Sequence, residues 1–491
     1  MYILKKNNIK ILIIYIFLLV SQLIILNNKL NINISNMHVD EIHTINFAID
    51  SLYTGKVETL RVGEGTRWFA RLIYPLAITS MNSKMGGEHF LTGFDYPGGA
   101  YLKSNFKDTN IKFDPNIQDF IFAMRFYLGF LVIASFILAS LMINLRYGLV
   151  SGLAYFTIAM STTLIQEMLN IFYTESALII IFNLILTIGL IEWKNKFRLL
   201  MWSAFICAFS ASVKLTGIIL ILPLIAVIMI QDHEINKGMK IEIFLFLMII
   251  FFLLINIYSS SYIELINQNL SNIYHLKTGH LNTYPSGFYQ LLVIIKHTAP
   301  WNIIFLLSFY LVCRNKIPNK LFLISIAFSS ILIFMSMVDV SFSLIRNYTT
   351  PMVMMICVIA ISAYFIIEIN LIKYKNFLLI SCFIIYNYSL FNNFNPIIES
   401  NILSHTKNCS TLGIVGFKDK VKESYIKIKD IPNSFQLKRQ ESEFIKYFEG
   451  IDCVIIDGKE NNKQYTHYIM DKINYTLQHR IGEYYFFQLK K

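Results

Sequence analysis

The stretch ILIIYIFLLVSQLIIL, residues 11–26, is followed about a dozen residues later by HVDEIH, residues 38–43. The first stretch is an apolar run with a basic flank at Lys5, Lys6 and Lys10, and no small-residue cleavage site follows it. That combination predicts an uncleaved signal anchor with its N-terminus in the cytoplasm. His38-Val39-Asp40-Glu41-Ile42-His43 then opens a long polar loop just beyond the membrane. Two adjacent carboxylates can supply a general base and a neighbour, or hold a metal. A lone Asp-Glu pair is more commonly a solvated turn, so its meaning depends on where the rest of the chain places its polar residues.

The chain of 491 residues is 55% hydrophobic and 15% charged, with a mean hydropathy of +0.52. A soluble protein carries about a quarter charged residues. Apolar runs of roughly 18 residues or more, enough to cross about 30 Å of hydrocarbon, recur along the sequence. A polytopic membrane protein is therefore expected. The net charge of +12 lies largely in short loops between spans and suits an anionic membrane leaflet better than nucleic acid. No phosphate-binding glycine loop, dinucleotide fingerprint or zinc-spaced cysteine cluster is present. Cys207, Cys313, Cys357 and Cys382 lie in apolar runs and read as small core residues.

After the first span, residues 27–118 form a long loop that folds on the membrane surface. Within it, Ile42–Leu52 reads as an amphipathic helix with Ile42, Ile45, Ala48, Ile49 and Leu52 on one face. Trp68–Ile78 reads as a second interfacial helix. Further spans are expected at Phe120–Ile143, Leu149–Met168, Ser176–Ile191, Leu199–Val213, Gly217–Ile230, Ile241–Tyr258, Tyr289–Cys313, Leu321–Val338, Pro351–Ile369 and Asn376–Leu390. The total is about eleven transmembrane helices. Alternating sides from a cytoplasmic start puts the short basic loops inside, at Arg146, Lys194–Arg198, Lys237–Lys240, Arg314–Lys320 and Lys373–Lys375.

The same alternation puts another set outside: the Asp-Glu loop, Glu167, Glu175, Lys214, residues 259–286, and residues 339–350 with Arg346. After residue 392 the composition becomes polar. Thr411–Phe417, Asp452–Asp457 and Tyr484–Leu489 read as strands, and Glu441–Phe448 and Tyr465–Leu477 as helices. The expected fold class is thus an all-α polytopic membrane domain over residues 1–392, including the outer first loop, with a small α/β extracytoplasmic domain over 393–491. Cys409 and Cys453 flank the first two of those strands, and both a disulfide and two free thiols fit the sequence.

These features together resemble the GT-C superfamily of integral-membrane glycosyltransferases. His38-Val39-Asp40-Glu41 is similar to the acidic motif after the first span in protein O-mannosyltransferases, lipid A aminoarabinose transferases and dolichol-dependent mannosyltransferases. Arg71-Leu72-Ile73-Tyr74-Pro75 resembles a stretch of the last group. Tyr173-Thr174-Glu175 resembles a second acidic position, Lys214-Leu215-Thr216-Gly217 a recurrent lysine-bearing helix junction, and Arg346-Asn347-Tyr348-Thr349-Thr350-Pro351 an Arg-Tyr-x-x-Pro motif before a late span. The likeness covers residues 1–392 and departs in the first loop, where Gly86-Gly87-Glu88-His89 and Gly93–Gly99 stand in place of a His-Pro-Pro element.

The resemblance implies inverting transfer of a sugar from a polyprenyl-phosphate carrier to an acceptor glycan, lipid or protein, on the extracytoplasmic side of the cell membrane. It implies Asp40 as general base with Glu41 beside it. Glu175, His43 and Tyr173 would face acceptor or sugar, and Arg346, Lys214, Arg71 and Tyr348 the lipid phosphate. No cofactor is expected. A divalent metal on Asp40, Glu175 and Glu88, as in oligosaccharyltransferases of the superfamily, is the less favoured use of these carboxylates.

Plainer roles are weighed beside these. Arg346 and Lys214 sit where basic residues commonly snorkel. Glu175 with Thr174 can cap a helix, and His43 reads as a loop side chain. Two other functions compete. A polysaccharide polymerase or ligase would carry its large outer loop late in the chain. A lipid or solute transporter, or a flippase, would place charges mid-membrane in repeated halves, and neither feature is found.

Overall fold

The computed structural model describes residues 6–32, 44–45, 48, 64–80, 115–169, 171–231, 237–257, 288–299, 301–338, 345–370, 411–415, 427–431, 451–457, 475–481 and 484–489. The helices are α1 (Lys6–Ile32), α2 (Glu64–Ser80), α3 (Pro115–Tyr147), α4 (Leu149–Ser161), α5 (Thr163–Met168), α6 (Thr174–Leu190), α7 (Lys196–Val213), α8 (Ile221–Gln231), α9 (Lys237–Ile255), α10 (Phe288–Thr298), α11 (Trp301–Arg314), α12 (Lys320–Val338) and α13 (Thr349–Asn370). Short 3₁₀ turns at Leu215–Leu220 and Ile345–Tyr348 precede α8 and α13. Among the described residues, five helices are long and apolar enough to cross a membrane by themselves. The sequence-expected span Asn376–Leu390 lies outside the described residues.

The chain divides into two compact units, one of residues 1–30, 37–88 and 119–390, the other of residues 31–36, 89–118 and 391–491. In the first, α13 is the central helix, buried from Met352 to Ser362 and packed against α4, α6, α11 and α12. Large apolar side chains point outward instead from α1 (Ile13, Phe17), α9 (Phe246, Ile249) and α11 (Ile303, Leu306, Leu307). Apolar surface on this scale needs a non-aqueous partner, and the bilayer supplies it. A buried polar chain ties α3, α4 and α6 together. Tyr155 OH donates to Asn183 Oδ1 (2.5 Å) and Asn183 Nδ2 to Ser135 Oγ (2.9 Å).

Helix ends expected on the basic side of the membrane do meet. Arg146 pairs with Glu192 at 2.9 Å, Lys196 donates to the Gln231 carbonyl, and Tyr147 OH donates to the Pro318 carbonyl. Gly148, at φ 94, lets the chain turn between α3 and α4, a backbone conformation that costs glycine little. Asn195 caps α7 by accepting from the Arg198 amide at 3.0 Å.

Three expected elements are corrected. Leu149–Met168 is not one helix. It breaks at Thr162, which is extended (φ −83, ψ 116), so α4 and α5 are separate. Tyr289–Cys313 divides into α10 and α11 around Ala299-Pro300, where proline lacks an amide donor and disfavours helix in the residue before it. Beyond residue 392, Tyr475–Ile481 is a strand, so the helix expected over Tyr465–Leu477 does not include its last three residues.

The described part of that region is one mixed sheet, with β1 (Thr411–Val415), β2 (Lys427–Ile431), β3 (Cys453–Asp457), β4 (Tyr475–Ile481) and β5 (Tyr484–Leu489) in the order β2-β1-β3-β5-β4. β1 runs parallel to β2 and β3, while β5 is antiparallel to β3 and β4. Leu412 lies opposite Cys453. Cys207, Cys313 and Cys357 are free thiols, and Cys453 is disulfide-bonded. The helix expected at Glu441–Phe448 falls outside the described residues.

Candidate functional site

Three of the residues singled out in the sequence come together at helix ends. Glu175 stands in the first turn of α6. Lys214 is the single extended residue between α7 and the 3₁₀ turn (φ −157, ψ 142). Arg346 lies in the 3₁₀ turn before α13. Lys214 Nζ donates to Glu175 Oε1 at 3.0 Å and to Asn347 Oδ1 at 2.9 Å. The Arg346 guanidinium lies over the Tyr173 ring, 4.5 Å from its centroid, a cation–π arrangement that keeps the charge in place without neutralising it. Arg346 also acts electrostatically on Glu175.

The Glu175 side chain is 5% exposed and that of Lys214 is 30% exposed. The carboxylate is thus enclosed, and the ammonium end of the pair is the part that reaches an opening. A small cavity of about 10 Å³, about the size of one water, lies here between Glu175, Lys214, Asn347, Thr350, Ile333 and Met337. Tyr348 is buried, and its hydroxyl accepts from Gln290 Nε2 at 2.8 Å, which ties the 3₁₀ turn to α10. Tyr348 thus braces the turn that carries Arg346.

Arg71 belongs to a different cluster. On α2 it pairs with Glu64, and Arg67 Nη1 reaches Glu64 Oε2 at 3.1 Å. Arg71 also lies over the Trp68 ring (5.1 Å), and Trp68 Nε1 donates to the Ile255 carbonyl at 2.9 Å. Burial draws the Arg67 guanidinium below its ordinary value, and Glu64 acts the other way. α2 therefore turns its charges inward, while Leu72 and Leu76 are exposed. A helix at a membrane surface inverts in this way, since ionisable groups face protein and leucines face lipid.

A further polar contact closes the end of α1. Lys29 Nζ donates to Gln166 Oε1 at 2.8 Å, and Gln166 Nε2 donates to the Met160 carbonyl at 2.7 Å. Asp40, Glu41 and His43 fall outside the described residues, as does Glu88. Of the helix expected around them, Thr44, Ile45 and Ala48 are helical and buried. Among the described residues, no group of three His, Cys, Asp or Glu is placed to hold a metal. Two participants carried no signal of their own in the sequence. Asn347 shares Lys214 with Glu175, and Glu64 pairs with both α2 arginines. Asn347 lies inside the Arg346–Pro351 stretch but is neutral, and Glu64 lies just before Trp68, where the sequence predicts the helix to start.

No family model and no curated protein matches the chain. Among solved structures it is similar to ArnT from Cupriavidus metallidurans bound to undecaprenyl phosphate, at 10% identity and a TM-score of 0.48 over 96% of this chain and 97% of that one. The apo state of the same protein gives 10% identity and a TM-score of 0.46 over the same shares.

Proposed function

We propose that the chain is a membrane glycosyltransferase that moves a sugar from a polyprenyl-phosphate carrier to an acceptor hydroxyl on the extracytoplasmic side. One observation carries the reading: Lys214, Arg346 and Glu175 converge from three separate helix ends, with the lysine partly exposed beside a small cavity. A departing phosphate gains negative charge and needs fixed cations. A guanidinium fork can hold two of its oxygens and an ammonium adds a point charge.

In the proposed step, the acceptor oxygen attacks the anomeric carbon from the face opposite the phosphate. A new carbon–oxygen bond forms as the bond to the phosphate oxygen breaks, so configuration inverts. The hydroxyl proton passes to the Asp40 carboxylate, a transfer that contributes about 10²–10⁴-fold when the base is well placed. The carrier leaves as a phosphate monoester held by Lys214 and Arg346. Glu41 orients the acceptor. Glu175 holds Lys214 in the resting site and meets acceptor or sugar hydroxyls once the lysine turns to phosphate. His43 and Tyr173 line the acceptor side. Arg71, held by Glu64, anchors α2 and adds positive potential for the approaching carrier.

The sidedness rests on the basic loops that gather at the opposite helix ends. It is supported by the bonded Cys453 of the soluble sheet, because such bonds persist in oxidising compartments. The test is transfer in membranes given a panel of radiolabelled polyprenyl-phosphate sugars, with wild type compared against Asp40→Asn. Labelled product from wild type that falls by about 10²-fold or more in the variant is expected. No product with any donor from folded wild type would overturn the reading.

A further inference from the structure

Lys214 is held at both ends, and the hold on its backbone is the less expected. Residues seven apart in a continuous helix lie about 10 Å apart along its axis. Here Ser210 Oγ instead donates to the Gly217 carbonyl at 2.9 Å, so the chain doubles back with Lys214 at the apex. Gly217 N donates to the Lys214 carbonyl at 2.8 Å, and Lys214 N donates to the Ser210 carbonyl at 3.2 Å. The approach is so close that a Cβ on Gly217 would lie 2.3 Å from the Ser210 carbonyl oxygen and 2.6 Å from its Oγ.

A second glycine presses on the same apex from α2. A Cβ on Gly65 would lie 2.6 Å from Val213 Cγ2, 2.8 Å from Val213 N and 3.0 Å from the Phe209 carbonyl oxygen. Val213 is the residue just before Lys214. The turn is therefore clasped by Ser210 and Gly217 within the hairpin and by Gly65 from the neighbouring helix.

We infer that Ser210, Gly217 and Gly65 are positioning residues for Lys214, fixing its backbone so that the ammonium meets the carrier's phosphate at a set depth. The inference rests on the lipid-phosphate reading of Lys214. Lysine is a point charge on a flexible four-carbon stem, so it has no fork to fix its geometry. Among the described residues its tip is held by Glu175 and Asn347, which use two of the ammonium's three donors and leave the third for a phosphate. The backbone clasp sets where the flexible stem starts and so how deep the charge can reach. A displacement of about 1 Å at a reacting group can cost about 10²-fold in rate.

A clasp that merely closed the hairpin would matter whether or not the lysine were present, and a double-mutant cycle separates the two roles. The full chain in detergent micelles is titrated with undecaprenyl phosphate. Four proteins are compared: wild type, Ser210→Ala, Lys214→Met and the double variant. Ser210→Ala is expected to weaken binding about fivefold in the wild-type background and to have no effect on top of Lys214→Met. Ser210→Thr keeps the hydroxyl and is expected to restore most of the affinity. Gly217→Ala and Gly65→Ala, which wedge the turn apart, are expected to lose about tenfold or more, again only with Lys214 present. Equal losses in both backgrounds would overturn the positioning role and leave a structural one. A Lys214→Met protein that binds as wild type would overturn the phosphate reading itself, and the inference with it.

Discussion

Two clusters of buried charge in the same compact unit are built differently. On α2, Glu64 is shared by Arg67 and Arg71, and all three side chains are 3% exposed or less. Between α6, α7 and the turn before α13, Glu175 holds a lysine that is 30% exposed, with Arg346 stacked beside it on Tyr173. The first cluster is closed, and the second is open on its cationic side. Closure makes a cluster an anchor, because any change leaves charge stranded in a dry interior. An opening lets an outside anion approach the exposed cation. The α2 cluster is accordingly suited to holding its helix in place, and the partly exposed Lys214 cluster to meeting the proposed ligand.

The largest effect that would break this contrast lies in the closed cluster. Glu64→Ala removes the carboxylate that two buried guanidiniums share, and a loss of roughly 3–5 kcal/mol is expected, read as a fall in the thermal unfolding midpoint in detergent. An unchanged midpoint would mean that the cluster is not closed. The open cluster responds in the opposite sense. Glu175→Gln removes the carboxylate that competes for Lys214 and raises the local positive potential. Undecaprenyl phosphate is expected to bind about three- to tenfold more tightly to this variant, while sugar transfer falls. Weaker binding would show that Glu175 positions the lysine rather than competing for it. The smallest effect is at Tyr173. Tyr173→Leu removes the ring under Arg346, a contact worth about 0.5–2 kcal/mol. A rise in the donor KM with kcat little changed is expected in steady-state transfer assays, and an unchanged KM would separate Arg346 from the carrier.

The contrast was only half visible in the sequence. Glu175, Lys214 and Arg346 were legible as a group because each sits beside an apolar run, and the alternation of basic loops places all three on one side. Asn347 was not, since a neutral amide leaves no mark on charge patterning. On α2, periodicity does put Glu64, Arg67 and Arg71 on one stripe and Leu72 and Leu76 on another. It does not say which stripe faces protein, because the polarity of inside and outside reverses in lipid.

The helix breaks divide in the same way. Pro300 announces the separation of α10 from α11, whereas Thr162 ends α4 through a backbone angle that many residues adopt. In the sheet, Lys427–Ile431 was not foreseen, because KIKDI carries too little apolar character to stand out from a loop. Tyr475–Leu477 read as the end of a helix, and pairing with Tyr484–Leu489 prevails there over local preference.

The central claim is that the cations of the open cluster hold a lipid phosphate. It is tested most directly by titrating purified protein with undecaprenyl phosphate and comparing wild type with the Lys214→Met/Arg346→Met double variant. Saturable binding by wild type, weakened by about 10²-fold or more in a double variant that unfolds at the wild-type temperature, is the predicted result. Equal binding by the two proteins would contradict the account, because the converging charges would then serve the bundle and not a ligand.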